Sequence, residues 1–324
     1  MHPSFLRSLV DPRTKEPLAL NARQWDGEFV LEGSLVSRAN SYPIVRGVPR
    51  FAGYKEDADN YTASFGFQWS HWSRVQFESE NVGGPMEGHT LRMWERITGI
   101  TDTNLHGAVI GDFGCGPGRF VEIVRRRHGR VIGLDLSDCV EVAHQNFRSD
   151  PNVLICQADI LNPPLSAESL DGAFSIGVLH HTPDPQHGFE QLVRCSRIGG
   201  WVAISVYGKG GYYDFPSVRL WRRVFRALWP VFGHYPALAY ANTTTRMLRP
   251  LARIPLLGIA LRGLFPFVRL PDIRWSVLDT YDSLTPAYQS AHETDEIRGW
   301  FQRCGLAEIV ASNWGVTAYH AVRK

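Results

Sequence analysis

Three glycines and three carboxylates are the residues best placed to do chemistry. Val109-Ile110-Gly111-Asp112-Phe113 reads as a short buried strand, and Gly114-Cys115-Gly116-Pro117-Gly118 as a sharp turn into a helix over 120–128. Glycines let a ligand approach the backbone with no Cβ in the way. The following helix N-terminus offers free N–H groups and a partial positive charge. Such a loop holds a dinucleotide pyrophosphate or the carboxylate of an amino-acid-like ligand. Spacing separates the two: the dinucleotide fingerprint runs GxGxxG, whereas here glycines stand at 114, 116 and 118, with Arg119 and Phe120 where that fingerprint continues. A bare tight turn would use the same glycines, so the loop alone decides little. Asp135 ends the next apolar run, seventeen residues after Gly118, the distance at which an acid reaches ribose hydroxyls. Asp159 follows a third run over 153–157, where a carboxylate can accept from an adenine amino group. One acid could be a helix cap, but three acids at the ends of three consecutive strands point to a bound nucleoside.

The elements that must position these residues alternate. Strands are predicted over 108–113, 130–136, 152–157, 171–177 and 201–206, with helices over 120–128, 139–147 and 186–197. Strands alternating with ten-residue helices imply βαβ units and a parallel sheet with helices on both faces. The pattern resumes late in the chain: Thr294 caps a helix through Cys304, with Asp295 and Glu296 in its first turn and Gly305 as its stop. Strands over 307–311 and 316–322 close the chain. Before the sheet lie a β-rich stretch over 1–55 and an aromatic helical lead-in over 56–98. In the first, a turn is expected at Glu32-Gly33-Ser34, and the prolines of 42–49 confine that segment to an edge strand or loop. The sheet is assigned to 99–210 and 276–324, interrupted by a helical insert over 211–275.

Composition limits the alternatives. With 44% hydrophobic and 20% charged residues and a net charge of +2, the 324-residue chain is neither disordered nor collagen-like. Its five cysteines form no CxxC pair, so neither a disulfide framework nor a zinc site is spelled out. Free thiols fit a cytoplasmic protein. Residues 1–10 carry Pro3 and Arg7 and lack the apolar core of a signal peptide. The longest mostly apolar run, 254–268, contains Arg262 and Pro266 and is too short to span a bilayer. Near-neutral charge gives no reason to expect a nucleic-acid partner.

The glycine loop and acids resemble a class I S-adenosylmethionine (SAM)-dependent methyltransferase. The subgroup resembled, that of small-molecule and ubiquinone-biosynthesis-like enzymes, carries three further motifs found here. They are Phe65-Gly66-Phe67-Gln68-Trp69, Gly177-Val178-Leu179-His180-His181-Thr182-Pro183, and Asp279-Thr280-Tyr281-Asp282-Ser283-Leu284-Thr285-Pro286. The family's Pro-Gly-Gly turn stands here as Ile198-Gly199-Gly200. The resemblance implies an α/β Rossmann-like seven-stranded sheet whose last strand is antiparallel, with SAM as cofactor. The implied cofactor-binding set is Asp112, Gly114, Cys115, Gly116, Gly118, Asp135, Leu136, Ala158, Asp159, Ile160 and Gly177. It implies methyl transfer but is not specific for the substrate; the acceptor expected is an oxygen of a small or lipid-like molecule. A non-catalytic scaffold with the same fold is the alternative, but it would not need a complete cofactor loop. RNA is the remaining acceptor class, and the near-neutral charge counts against it.

An oxygen acceptor must lose a proton, and histidine suits that task. His180 or His181 could be the base; the pair could instead cap the next helix or pack the loop. Tyr207, at the end of the fifth strand, could orient the acceptor or be structural. The insert 211–275 holds ten arginines against two acids. Read as a helix, Val218, Trp221, Phe225 and Leu228 form one stripe, expected to line the cavity above the transferred methyl. The insert is a lid with a solvated basic face, or it meets a membrane surface or an anionic, greasy substrate. Oligomeric state is not readable. Residues 9–18 and 41–49 resemble a zinc-ribbon-like methyltransferase activator domain. Asp11 and Thr14 stand where that domain's first cysteine pair would be, so no metal is expected, and the segment reads as a packing or partner-docking module.

Overall fold

The computed structural model describes residues 1–52, 62–101, 104–312, 314 and 317–324. The expected boundary at 55–56 and the first residue of the expected closing strand, Val316, lie outside them.

The N-terminal stretch folds into an antiparallel sheet of β1 (Ala19–Asp26), β2 (Phe29–Val36), β3 (Ser41–Val45) and β4 (Val48–Pro49), in that order. No turn forms at 32–34. The hairpin turns at Gly27, with φ +57°, and Gly33 lies inside β2. A Cβ on Gly33 would come within 2.5 Å of the Asn21 carbonyl oxygen on β1, so glycine serves close strand approach there rather than a turn. β3 is an inner strand despite Pro43, because its far neighbour β4 is only two residues long and pairs beyond the proline. Asp11 is fully buried and ties the neighbouring loops together. It accepts hydrogen bonds from Ser37 Oγ, Asn40 Nδ2 and Tyr42 Oη at 2.5–2.8 Å. Burial alone would raise its pKa, but these bonds and one from the Arg13 amide hold it well below the usual carboxylate range.

The remaining elements follow as α1 (Ala63–His71), α2 (His89–Thr98), β5 (Val109–Phe113), α3 (Arg119–Arg126), β6 (Arg130–Asp135), α4 (Val140–Phe147), β7 (Val153–Gln157) and β8 (Leu170–Ile176). After them come α5 (Pro185–Cys195), β9 (Ser196–Val206), α6 (Pro216–Phe232), α7 (Tyr235–Leu251), α8 (Pro255–Leu264), α9 (Ile273–Leu284), α10 (Thr294–Arg303), β10 (Ala307–Ala311) and β11 (Thr317–Val322). β5 to β11 form one sheet in the order β10-β11-β9-β8-β5-β6-β7, with β11 antiparallel to its neighbours. Along β7, Val153 and Ile155 face one core while Leu154 and Cys156 face the other, the period-two alternation of a strand buried on both faces. Helices α2, α3 and α4 cover one face, and α5, α10 and the N-terminal sheet the other. The open edge of β7 is capped where the Phe51 amide and the Arg50 side chain bond Gln157 at 2.8 and 3.0 Å. Thr294 is the first residue of α10, not its cap; the preceding Glu293 takes the cap position without a side-chain bond.

A third apolar cluster joins α1, α6, α7 and α9 above the sheet. The stripe of α6 packs here, Val218 and Phe225 buried and Trp221 and Leu228 partly so. It does not line the cavity described below, because Ala237 and Ala241 of α7 and Val277, Leu278, Tyr281 and Leu284 of α9 offer it a closer apolar face.

Burial holds His89, His144 and His234 at a pKa of about 4, against the ordinary histidine value of 6.5. Between these values the unfolded chain takes protons that the folded chain refuses, so stability falls as pH drops through this window. A pH series of melting temperatures should decline from about pH 6.5 toward 4, before ordinary carboxylates titrate; a flat series there would contradict the buried placement.

Candidate active site

The carboxyl ends of β5, β6, β7, β8 and β9 open into a cavity of about 290 Å³. Gly114, Cys115, Gly116, Asp135, Leu136, Asp159, Ile160, Gly177, His180, His181 and Tyr207 all line it. Asp112, Gly118 and Ala158, also expected at a cofactor, are not among its lining residues. Gly118 is the residue before α3, at φ +96°, and Ala158 is wholly buried behind the strand ends.

The glycine loop is shaped by contact as much as by turning. Gly114 sits at φ +89°, and a Cβ there would meet the Val178 side chain at 2.4 Å. Asp135 reaches across from β6: its Oδ2 accepts from the Gly116 amide at 3.0 Å, and its Oδ1 from the amide and hydroxyl of Ser137 at 2.9 and 2.7 Å. One carboxylate thus fixes the loop and keeps lone pairs for a ligand. Asp159 accepts from the Leu161 amide at 2.9 Å, and burial raises its pKa. Asp112 is buried with Oδ2 unpartnered; burial, then the nearby Asp135, push its pKa well up.

His180 and His181 lie on a short 3-10 turn, Leu179–His181, after β8. They do not cap α5, whose cap is Asp184, accepting from the His187 amide at 3.0 Å. The two rings differ. Neither nitrogen of His180 has a partner, and its ring lies 3.7 Å from that of Tyr207. His181 Nδ1 is 2.9 Å from the Tyr288 carbonyl oxygen. A carbonyl only accepts, so Nδ1 carries the proton, and the buried, unpartnered Nε2 is left with a free lone pair. Burial lowers the pKa of both histidines, although Asp282 and the Tyr288 carbonyl pull His181 the other way. Tyr207 donates to Asp282 Oδ2 at 3.2 Å and stacks on Tyr213 at 3.7 Å. Segment 288–292 is stitched along this edge: the Ser290 amide donates to the His180 carbonyl and the His292 amide to that of Tyr207, both at 2.9 Å.

Other lining residues were not expected from the sequence as site residues: Gln68, Arg119, Tyr213, Asp279 and Asp282. Gln68, Asp279 and Asp282 fall within motifs that carry the resemblance, which was their only signal. Gln68 is fully buried, and neither side-chain amide atom has a partner; it can both donate to and accept from a ligand. Gln76 links Arg119 to Asp279, accepting at 2.7 Å and donating at 3.3 Å. Burial, and then Asp282, push Asp279 up to about 7.

Comparison with known proteins finds a methyltransferase domain at the core of this site. A model described as a methyltransferase domain matches residues 111–204, which run from the glycine loop through His180 and His181 into β9. Residues 111–204 thus carry a methyltransferase domain. It is 29% identical to an uncharacterised methyltransferase of Mycobacteroides abscessus over 68% of this chain and 78% of that one. It is 31% identical to tRNA (carboxymethyluridine(34)-5-O)-methyltransferase of Arabidopsis thaliana over 35% of this chain and 28% of that one. It is 28% identical to 27-O-demethylrifamycin SV methyltransferase of Amycolatopsis mediterranei over 39% and 47%. The chain spans about a quarter of the length of several of the curated relatives it matches.

The residues fit SAM as the cofactor of a methyltransferase domain. The glycine cradle lies beside the α3 N-terminus, the amide of the lining residue Gln68 is buried without a partner, and carboxylates outnumber Arg119 around the cavity, as a sulfonium cation requires. Replacing Asp135 removes both the loop's anchor and a charged acceptor worth about 1.5–3 kcal/mol. Asp135→Ala should weaken SAM binding by about tenfold or more on calorimetry; unchanged affinity would remove Asp135 from the cofactor site.

Proposed function

We propose that this methyltransferase methylates an oxygen of a small or lipid-like acceptor, with His181 as the base. The observation carrying this reading is the free Nε2 of His181 at the cavity. SAM, when bound, supplies an electrophilic methyl carbon on a sulfonium. The chain's own residues do the rest. Asp135 accepts from the ribose, Asp159 from the adenine, and the glycine loop with the α3 N-terminus receives the carboxylate. The acceptor's proton goes to Nε2, and the resulting imidazolium is stabilised by the Tyr288 carbonyl and by Asp282. Tyr207, its hydroxyl held by Asp282, orients the acceptor. Aromatic walls, among them Phe65, Trp69 and Trp275, keep water from the methyl group.

The lipid-like acceptor is supported by the insert's surface. Of the nineteen large apolar side chains exposed among the described residues, fourteen lie between Phe215 and Phe265, including Leu256 at 84% and Val231 at 75%. No helix among the described residues is long and apolar enough to cross a membrane, so this surface suits peripheral contact. A tRNA acceptor is the second reading, favoured by the name of the plant relative.

His181→Gln should keep SAM affinity and lose about a hundredfold or more in turnover, the usual scale of general-base catalysis. Labelled SAM with lipid extract, small metabolites and purified tRNA as separate acceptor pools checks this. Equal turnover by the variant would remove the base, and labelling confined to tRNA would replace the acceptor class. Because burial lowers the pKa of His181, the wild-type rate should hold as pH falls through the ordinary histidine range and drop only below it.

A further inference from the structure

A second cavity, of about 810 Å³, lies between α6 and residues 284–289. Its lining includes four arginines of α6, Arg219, Arg222, Arg223 and Arg226, and no carboxylate. Spacings of three, four and seven residues bring these arginines to one side of the helix. Arg219 is paired with Asp214. Among the described residues, no carboxylate forms an ion pair with the other three. Arg222 donates through Nη2 to the Pro286 carbonyl at 2.8 Å and Arg226 to that of Ala287, which turns both guanidiniums toward segment 284–289. The Nε of Arg222 is buried and without a partner. Burial, then Arg226, lower the pKa of Arg222 to about 10, so it stays cationic. Phe225, Trp229 and Leu284 supply an apolar wall to the same cavity.

Like charges crowded together with a spare buried donor are costly unless an anion joins them. Guanidiniums match the oxygens of a phosphate in particular. The cavity also adjoins the methyl-transfer site. The carbonyl of Tyr288, one of its lining residues, receives His181 Nδ1–H, and Gln289, another, donates to the Tyr213 carbonyl at 3.0 Å.

We propose that this arginine cavity is a phosphate site, binding a phosphate or pyrophosphate group attached to an apolar chain. This deepens the proposed function, on which its link to the acceptor rests: the acceptor's phosphate lies here, and its reacting oxygen lies on the His181 side of segment 288–290. The phosphate could belong to a membrane lipid or to a free phosphorylated metabolite, since the oxygens recognised are the same.

The test is calorimetric titration of the full chain with inorganic pyrophosphate at low salt, with SAM titrated in parallel. The wild type should bind pyrophosphate. The double variant R222Q/R226Q should lose about tenfold or more in affinity, as expected when charge-assisted hydrogen bonds are removed, and keep its SAM affinity. If the double variant also loses SAM binding, its fold is disturbed, and the exposed Arg223→Gln decides: a several-fold weakening supports the site. No pyrophosphate binding by the wild type, or affinity unchanged in a folded variant, overturns it. A wild type that binds pyrophosphate but not SAM leaves the phosphate site standing and overturns the methyl-transfer reading. Vesicles of equimolar phosphatidylcholine and phosphatidylglycerol that compete with pyrophosphate identify the source as a lipid headgroup; vesicles that do not compete identify a free phosphorylated compound.

Discussion

The Tyr288 carbonyl oxygen, 2.9 Å from His181 Nδ1, governs the chemistry available to this site. A neutral imidazole has one donor and one acceptor nitrogen, so a carbonyl on one side fixes the character of the other. Here it leaves Nε2, a buried atom of a cavity-lining residue, unprotonated. The contact spans more than a hundred residues of sequence, so the histidine and the carbonyl that orients it come from different parts of the fold. The 3-10 turn after β8 carries the histidine, and the strap before α10 carries the carbonyl.

That strap is where the sheet meets its cover. The backbone bonds of Ser290 to His180 and of His292 to Tyr207 run it along the carboxyl edge of the strands. α9 then brings Asp279 and Asp282 over the cavity from above. The glycine loop closes the opposite side, anchored by Asp135. The cofactor half is held by short-range loop geometry, whereas the acceptor half depends on how the insert docks. Altering the insert should therefore change which acceptor is methylated more readily than whether SAM binds.

The parts legible in the sequence were those with a short period or a fixed spacing. Strands buried on both faces read as apolar runs, and the glycines with the acids of β6 and the β7 loop marked residues that line one cavity. Where one residue type serves two purposes, the sequence reading failed. Gly33 looked like a turn but permits close strand approach, and the stripe of α6 looked like a wall of the cavity at the strand ends but packs on α7 and α9. Gln68 and Asp279 are separated by about two hundred residues and reach one cavity only because α1 and α9 pack together. No periodicity in either helix records where it docks. The arginines of α6 were visible as a charge run, but the cavity they share with segment 284–289 exists only in the fold.

Nitrogen-15 NMR of labelled protein bound to the demethylated cofactor, with the His181 resonances assigned by comparison with His181→Gln, tests the central claim most directly. A neutral ring is expected at neutral pH, protonated at Nδ1, with Nε2 showing the shift of an unprotonated nitrogen. A proton on Nε2, or a fully protonated ring at that pH, would contradict it.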